Sequence, residues 1–297
     1  MKSTIGIVGI GLVGTAMAHN LLNAGVEVYG YDISDERLRE FRSNGGIAVS
    51  SPRMVAENAE RILLSVHDSD TVREALFGSG GILEATPHPK YIVDTTTGDP
   101  EMTVRLSAEL QERGIGYLDA TISGSSDHIR SRRGVFMVGG ESDVFEACRD
   151  ILELLAETHF HVGGPGSGSK TKLASNLILG LNRAALAEGL VLAENLGLDL
   201  ASFLEVVRLT PAYSAQMDSK GEKMIKREYT AHSKISQHRK DVDIILRYGR
   251  NHGQRLPFSE VHRSLLTEAE RVGRGDSDNS AVIEQIRDLK DALEPES

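Results

Sequence analysis

Thr4-Ile5-Gly6-Ile7-Val8-Gly9-Ile10-Gly11-Leu12-Val13-Gly14 decides how this chain folds. The first five residues form an apolar, β-branched run, and Gly9-x-Gly11-x-x-Gly14 follows at once. A helical pattern from Thr15 to Ala24 closes at Gly25, and a second apolar run, Val26 to Tyr31, ends in Asp32. The order strand, glycine turn, helix, strand, acid is the dinucleotide-binding fingerprint in its required context. Gly9 permits the tight turn, and Gly11 lets backbone approach a pyrophosphate seated on free N–H groups at the helix start. Gly14 allows the helix to pack closely on the strand. Leu12 and Val13 complete the turn. Asp32 stands about 20 residues on, where a carboxylate accepts hydrogen bonds from ribose hydroxyls and repels the 2′-phosphate of NADP. NAD is therefore expected over NADP. The first cation after Asp32 is Arg37, which reads as a solvated helix residue.

The rest of the composition frames this unit. A chain of 297 residues, 40% hydrophobic, is long enough for two domains. Its net charge of −10 argues against non-specific nucleic-acid binding and against anionic membrane surfaces. No apolar stretch approaches the roughly 20 residues that span a bilayer. The first strand begins too early to leave room for a signal peptide. The single cysteine, Cys148, suits a reducing cytoplasm and reads as a buried structural thiol. The ten histidines lack metal-site spacing; His159-x-His161 puts two rings on one face of a strand with no third ligand nearby, so no metal is expected.

Up to residue 162 apolar runs alternate with helical patterns. Ile62–Val66, Tyr91–Asp94, Tyr117–Ala120, Gly134–Val138 and the stretch around His159–His161 read as further strands. This alternation predicts a Rossmann-type, doubly wound α/β sheet over residues 1–162, with ligands beyond the carboxyl ends of its strands. Gly163-Gly164-Pro165-Gly166-Ser167-Gly168 then breaks the pattern. Residues 163–297 read as an all-α helical domain for substrate binding and oligomerisation. Its helices are expected at Ser169–Leu196, Leu200–Leu209, Ala215–Arg227, Ile235–His252, Phe258–Arg271 and Asn279–Leu293, before a disordered tail, Glu294 to Ser297. The first helix is apolar over a broad face, which suits a large core or a subunit interface.

Lys172 and Asn176 lie one turn apart on one face of that helix. Beside a nicotinamide, an ammonium so placed can manage the hydroxyl proton of an alcohol while the amide orients the hydroxyl.

Four motifs, in order, make the chain resemble the β-hydroxyacid dehydrogenase family, which includes 3-hydroxyisobutyrate dehydrogenase, tartronate semialdehyde reductase and the larger 6-phosphogluconate dehydrogenases. They are the glycine fingerprint with Asp32; Asp94-Thr95-Thr96-Thr97-Gly98-Asp99-Pro100; Asp119-Ala120-Thr121-Ile122-Ser123-Gly124; and Gly166-x-Gly168-x-x-x-Lys172-x-x-x-Asn176. Lys240-Asp241 is similar to a further Lys-Asp segment of the family.

The resemblance implies an NAD-dependent enzyme that oxidises a small 3-hydroxy acid or reduces the matching semialdehyde or keto acid. Lys172 would be its general acid/base, and Asn176 would hold substrate. Ser123, Gly124 and Ser125 would bind the substrate carboxylate. Thr97 would lie beside the nicotinamide, with Val66, His67 and Thr71 along the cofactor, and Lys240 would serve both substrate and cofactor. A homodimer or homotetramer built through the helical domain is implied as well. An imine reductase-like enzyme and a non-catalytic dinucleotide-binding protein are the alternatives; Lys172 argues against both.

The chain also departs from the family pattern. Thr121 stands for the family's Pro and Ser125 for its second Gly, and the following loop carries Arg130, Arg132 and Arg133. Arginine forks suit anionic oxygens, so a substrate with a second anionic or strongly polar group is a further expectation.

Overall fold

A computed structural model describes residues 4–289. The chain divides into two compact units between Lys172 and Leu173, inside a long helix and beyond the glycine run at 163–168.

The first unit is built on eight strands: β1 (Thr4–Val8), β2 (Glu27–Tyr31), β3 (Ile47–Ala48), β4 (Arg61–Leu64), β5 (Tyr91–Asp94), β6 (Gly116–Ser123), β7 (Val135–Gly139) and β8 (Thr158–Gly163). Their spatial order is β3-β2-β1-β4-β5-β6-β7-β8. Neighbouring strands run parallel except β6 and β7, which are antiparallel. Between them lie α1 (Leu12–Asn23), α2 (Asp35–Ser43), α3 (Pro52–Asn58), α4 (Ser69–Phe77), α5 (Pro100–Gln111), α6 (Ser126–Arg130) and α7 (Ser142–Leu155).

The sequence sets these boundaries locally. Ser34, Ser51, Asp68 and Asp99 each accept a first-turn N–H at the start of α2, α3, α4 and α5. Pro52 and Pro100 occupy first-turn positions, where no N–H is required. Strand side chains alternate between two cores, as period two demands. Ile5, Ile7, Leu63 and Val93 join Met17, Leu21 and Leu152 on one face of the sheet. Val8, Ile62, Leu64 and Ile92 join Val55, Leu76, Leu106 and Leu110 on the other. Helices thus cover both faces, which is why these strands read as continuous apolar runs.

Register aligns the carboxyl ends. Val8 pairs with both Tyr31 and Leu64, Leu64 with Asp94, and Asp94 with Asp119. The residues that follow Val8, Tyr31, Leu64 and Asp94 therefore share one edge. β6 alone overshoots it, continuing from Ala120 to Ser123 against β7.

The second unit is helical. α8 (Ser167–Asn195) begins in the first unit and continues into α9 (Leu200–Arg208), a π-helical turn (Met217–Gly221), α10 (Glu222–Lys226), α11 (Ile235–Asn251), α12 (Pro257–Arg271), a 3-10 turn (Asn279–Ala281) and α13 (Val282–Asp288). The helix expected over Ala215–Arg227 is thus replaced in part by the π turn. The expected end of the last helix and the tail from Glu294 lie outside the described residues. Leu186, Ala187, Leu190 and Val191 of α8 pack with Leu204, Met224, Val242, Leu246, Leu266 and Val282.

α8 corrects one expectation. Among the described residues it is long and apolar enough, by length and composition, to cross a bilayer. Arg183 and Glu188 break the apolar run without ending the helix. The packing of its apolar face within the helical unit accounts for the same composition.

Candidate active site

The glycine turn lies at the shared strand edge. Gly9, at φ 93°, donates its N–H to the Tyr31 carbonyl at 2.9 Å. A Cβ on Gly14 would sit 2.0 Å from the Gly9 carbonyl oxygen, so only glycine lets α1 start this close to the strand. Gly11 caps α1 without a side-chain bond, leaving first-turn N–H groups to another acceptor. A Cβ there would meet nothing nearer than the Arg37 guanidinium at 3.8 Å. An open helix start above a closed glycine contact fits a pyrophosphate.

Asp32 is 6% exposed. Its Oδ2 accepts the Ile10 N–H at 2.7 Å and its Oδ1 the Ser34 N–H at 2.8 Å. Two amides leave lone pairs on both oxygens. Arg37 is an exposed residue of α2, as expected, and its Nη1 lies 3.5 Å from Asp32 Oδ2.

At the ends of β4 and β5, the Val66 N–H donates to Thr96 Oγ1 at 3.3 Å, and His67 is exposed. Thr71 gives both its N–H and its hydroxyl to Asp68 Oδ1, at 2.9 and 2.7 Å, so its polar groups serve the start of α4. Thr97 is partly buried just beyond β5. Below it, Asp94 accepts the Tyr117 hydroxyl at 2.6 Å and the Thr96 N–H at 2.9 Å. Burial pushes the Asp94 carboxyl up to about 6 despite these bonds, with a smaller push from Asp119.

β6 organises the rest of the first unit. Asp119 accepts the Gly166 N–H on Oδ1 at 2.9 Å and the Ser169 N–H on Oδ2 at 2.7 Å, pinning the turn that opens α8. Burial raises its carboxyl above the ordinary carboxylate value, against those two bonds. Thr121 Oγ1 donates to the Gly168 carbonyl at 2.9 Å. A Cβ on Gly168 would fall 2.2 Å from the Asp119 carbonyl oxygen, so α8 docks here only as glycine. One turn on, Lys172 Nζ donates to the Ile122 carbonyl at 2.6 Å, next to Ser123 and Gly124. Ser125 is engaged differently from its neighbours. Its N–H donates to His128 Nδ1 at 3.2 Å and its hydroxyl lies 2.8 Å from the same nitrogen, in a capping box that starts α6.

The arginine-bearing segment turns onto α1, where Asn20 Nδ2 donates to the Ile129 carbonyl at 2.7 Å. Arg132, at φ 59°, gives its Nη2 to the Glu153 carbonyl, and Arg133 Nε donates to Ser131 Oγ. His159 and His161 both meet the Phe145 ring. No group of three metal-ligating side chains occurs among the described residues.

In the helical unit, Asn176 is buried and its Nδ2 donates to Asp241 Oδ2 at 3.2 Å. Lys240 Nζ lies 3.8 Å from Asp241 Oδ1. Asp241 thus links two expected site residues, Asn176 and Lys240. Asp119, Thr121 and Asp241 had no individual role in the sequence reading, although all three lie inside or beside motifs it quoted.

Residues 4–163 match the family model described as the NAD binding domain of 6-phosphogluconate dehydrogenase. Residues 166–286 match the one described as NAD-binding of NADP-dependent 3-hydroxyisobutyrate dehydrogenase. The chain belongs to the β-hydroxyacid dehydrogenase family. It is an NAD(P)-dependent oxidoreductase acting on a CH–OH group, with the Rossmann and all-helical domains expected of the family.

Among curated relatives, 2-hydroxy-3-oxopropionate reductase of Escherichia coli is 33% identical over 95% of this chain and 96% of its own length. The 2-(hydroxymethyl)glutarate dehydrogenase of Eubacterium barkeri is 31% identical over 94% and 93%. The crystal structure of 3-hydroxyisobutyrate dehydrogenase from Salmonella typhimurium superposes with TM-score 0.87 over 95% of this chain and 99% of that one. At 24% identity, that likeness speaks for the β-hydroxyacid dehydrogenase fold alone.

Proposed function

We propose that this chain oxidises a small 3-hydroxy acid with NAD, and reduces the matching semialdehyde or keto acid through the same residues. The observation that carries this reading is the Lys172 ammonium, held on the Ile122 carbonyl at 2.6 Å beside Ser123 and Gly124. Bound NAD supplies the hydride acceptor. In oxidation Lys172 acts as the neutral amine and takes the hydroxyl proton as the carbonyl forms; in reduction the Lys172 ammonium returns that proton to the carbonyl oxygen. The Ser123 hydroxyl and the Gly124 N–H hold the carboxylate; Ser125 stands beside them, its N–H held by His128 Nδ1. Asn176, with Nδ2 committed to Asp241, presents Oδ1 to the hydroxyl. Lys240 offsets the charge of Asp241 and reaches substrate and cofactor. Gly9, Gly11, Leu12, Val13 and Gly14 cradle the pyrophosphate, Asp32 takes the ribose hydroxyls, and Val66, His67, Thr71 and Thr97 line the remaining cofactor surface. NAD is preferred because a 2′-phosphate would meet the Asp32 carboxylate. Arg37 answers only in part, since that carboxylate already holds it.

The substrate also carries a second anionic or strongly polar group in this reading. Arg132 is committed to Glu153, which leaves Arg130 and the outer nitrogens of Arg133 as its partners near Ser125. The compound in one relative's name, 2-(hydroxymethyl)glutarate, bears two carboxylates. The enzyme works in the cytoplasm as a homodimer or homotetramer.

Lys172→Ala tests the core of the reading. It lowers kcat by about 10²–10⁴, the range of lost general acid/base catalysis, while NADH binding persists. Wild-type turnover in the variant refutes it. A panel of hydroxy acids and cyclic imines separates the two enzyme classes, and NADH binding with no turnover of either marks a non-catalytic protein.

A further inference from the structure

His128 is exposed, yet its backbone is fixed at both ends. Its N–H donates to Ser125 Oγ at 3.4 Å, and its carbonyl accepts the N–H groups of Arg133 at 2.7 Å and Gly134 at 3.1 Å. The next residue, Ile129, is buried in the core, and its carbonyl accepts Asn20 Nδ2 from α1 at 2.7 Å. α6 is thereby anchored to the helix of the glycine turn, with Ser123-Gly124-Ser125 immediately before it.

The His128 ring reaches back to that loop. Ser125 gives its N–H to Nδ1 at 3.2 Å, and its hydroxyl lies 2.8 Å from the same nitrogen. An N–H can only donate, so Nδ1 is the acceptor. Gly124 has φ 140°, a conformation open to glycine and to few other residues. A Cβ there would sit 3.1 Å from His128 Cβ, so the loop lies close against α6. Glycine has the most backbone freedom to lose on ordering, and the bond to the ring removes part of that freedom before any ligand arrives. Both donors of Ser125 are taken by this tether, which leaves the Ser123 hydroxyl and the Gly124 N–H for an anion.

We infer that His128 is a positioning residue for substrate: it holds the carboxylate-binding loop in its bound shape from behind, without touching the reacting atoms. This rests on the function proposed above, which gives that loop to the carboxylate of a 3-hydroxy acid. A substrate that meets a preordered loop binds without the cost of ordering it. Loss of the tether weakens binding about five- to thirtyfold, the ordering of one residue's backbone, and leaves the chemical step alone.

Three substitutions test this, with circular dichroism melts to verify folding. His128→Ala removes the acceptor. His128→Gln keeps one, since an amide oxygen three residues after a capping serine reaches back to its N–H. Ser51→Ala takes the cap from α3 and so lowers stability without touching the loop. The probe is 3-hydroxypropionate, titrated calorimetrically into the full chain saturated with NADH. Its Kd rises about five- to thirtyfold in His128→Ala. In His128→Gln and Ser51→Ala it stays within about twofold of wild type, as does Kd for NADH in all three variants. KM for the acid follows its Kd while kcat is unchanged, as for binding lost equally from ground and transition states. Amide exchange at Ser125, read by NMR without ligand, tests the tether alone: it is faster in His128→Ala and like wild type in His128→Gln. Equal exchange in wild type and His128→Ala overturns the tether. Faster exchange with an unchanged Kd for 3-hydroxypropionate overturns the positioning role, as does an equal loss of affinity in Ser51→Ala. A wild type that binds neither this acid nor any other hydroxy acid refutes the function proposed above and with it the role of His128 toward substrate; the exchange result separates that failure from failure of the tether.

Discussion

Asp119→Asn replaces one carboxylate oxygen by NH2 and tests how Lys172 is positioned. In the wild type each carboxylate oxygen accepts one backbone N–H, from Gly166 at 2.9 Å and from Ser169 at 2.7 Å. An amide keeps one acceptor. In either rotamer its NH2 faces the second N–H, donor to donor, and one buried N–H loses its partner. Leaving such a group unsatisfied costs about 1–3 kcal/mol. The charge that Asp119 carries in a buried setting offsets part of this, because burial already penalises the ionised form. The net expectation is a loss of about 1–2 kcal/mol, a fall in Tm of roughly 2–8 °C for a unit of this size.

The larger effect is kinetic. The pinned turn opens α8, and Lys172 lies within the first turns of that helix. A displacement of about 1 Å can cost about 10²-fold in rate, so kcat falls between about tenfold and a hundredfold while Kd for NADH stays within about twofold. Thermal melts, NADH titration and steady-state rates with the best hydroxy acid measure the three quantities. A full loss of stability with unchanged kcat refutes the positioning argument. Unchanged stability refutes the pin itself. Thr121→Val removes only the bond to the Gly168 carbonyl and follows in the same direction with a smaller effect, about 1 kcal/mol.

Two further predictions address the cofactor and a buried acid. NAD exceeds NADP by at least about tenfold in kcat/KM, or about 1.4 kcal/mol, and Asp32→Ser narrows the gap while Arg37→Ala widens it. A wild type that favours NADP overturns the ribose role of Asp32. Asp94, raised to about 6 by burial, stabilises the fold below the ordinary carboxylate value and loses that contribution as pH rises through about 6. The stability advantage of wild type over Asp94→Asn therefore shrinks between about pH 4 and about pH 7, by up to about 3 kcal/mol at 1.36 kcal/mol per pKa unit. Urea titrations at both pH values giving equal differences would show that Asp94 is not desolvated as the structure implies.

The glycine turn was legible because its geometry admits few residues: a Cβ on Gly14 has no room, and the sequence reports that directly. The long helices were legible from their 3.6-residue period, and α8, α11 and α12 begin and end close to where the pattern placed them. Strand β3, two residues long, leaves too little pattern to read. The reversal of β7 is silent too, since alternation is the same for either strand direction. Asp119 acts on residues almost fifty positions away, and nothing local announces such a contact. Ser125 is the opposite case. Ser125-x-x-His128 is a local capping pattern, and reading it as such would have predicted that its N–H is engaged. Arg37 is the exposed helix residue that its position suggests, but spacing along a helix does not say how far a long side chain reaches back, and its contact with Asp32 was not legible.

Cys148, the one cysteine in the sequence, is buried on α7, and burial pushes its thiol up to about 12. At neutral pH it offers almost no thiolate, so alkylating reagents meet it only when the strand-and-helix core around it opens. The chain therefore carries its own stopwatch. The rate at which iodoacetamide labels Cys148 reads the opening of the Rossmann unit, free of signal from any other thiol. Bound dinucleotide should slow that clock in proportion to its occupancy, giving a measure of cofactor binding that needs neither substrate nor turnover.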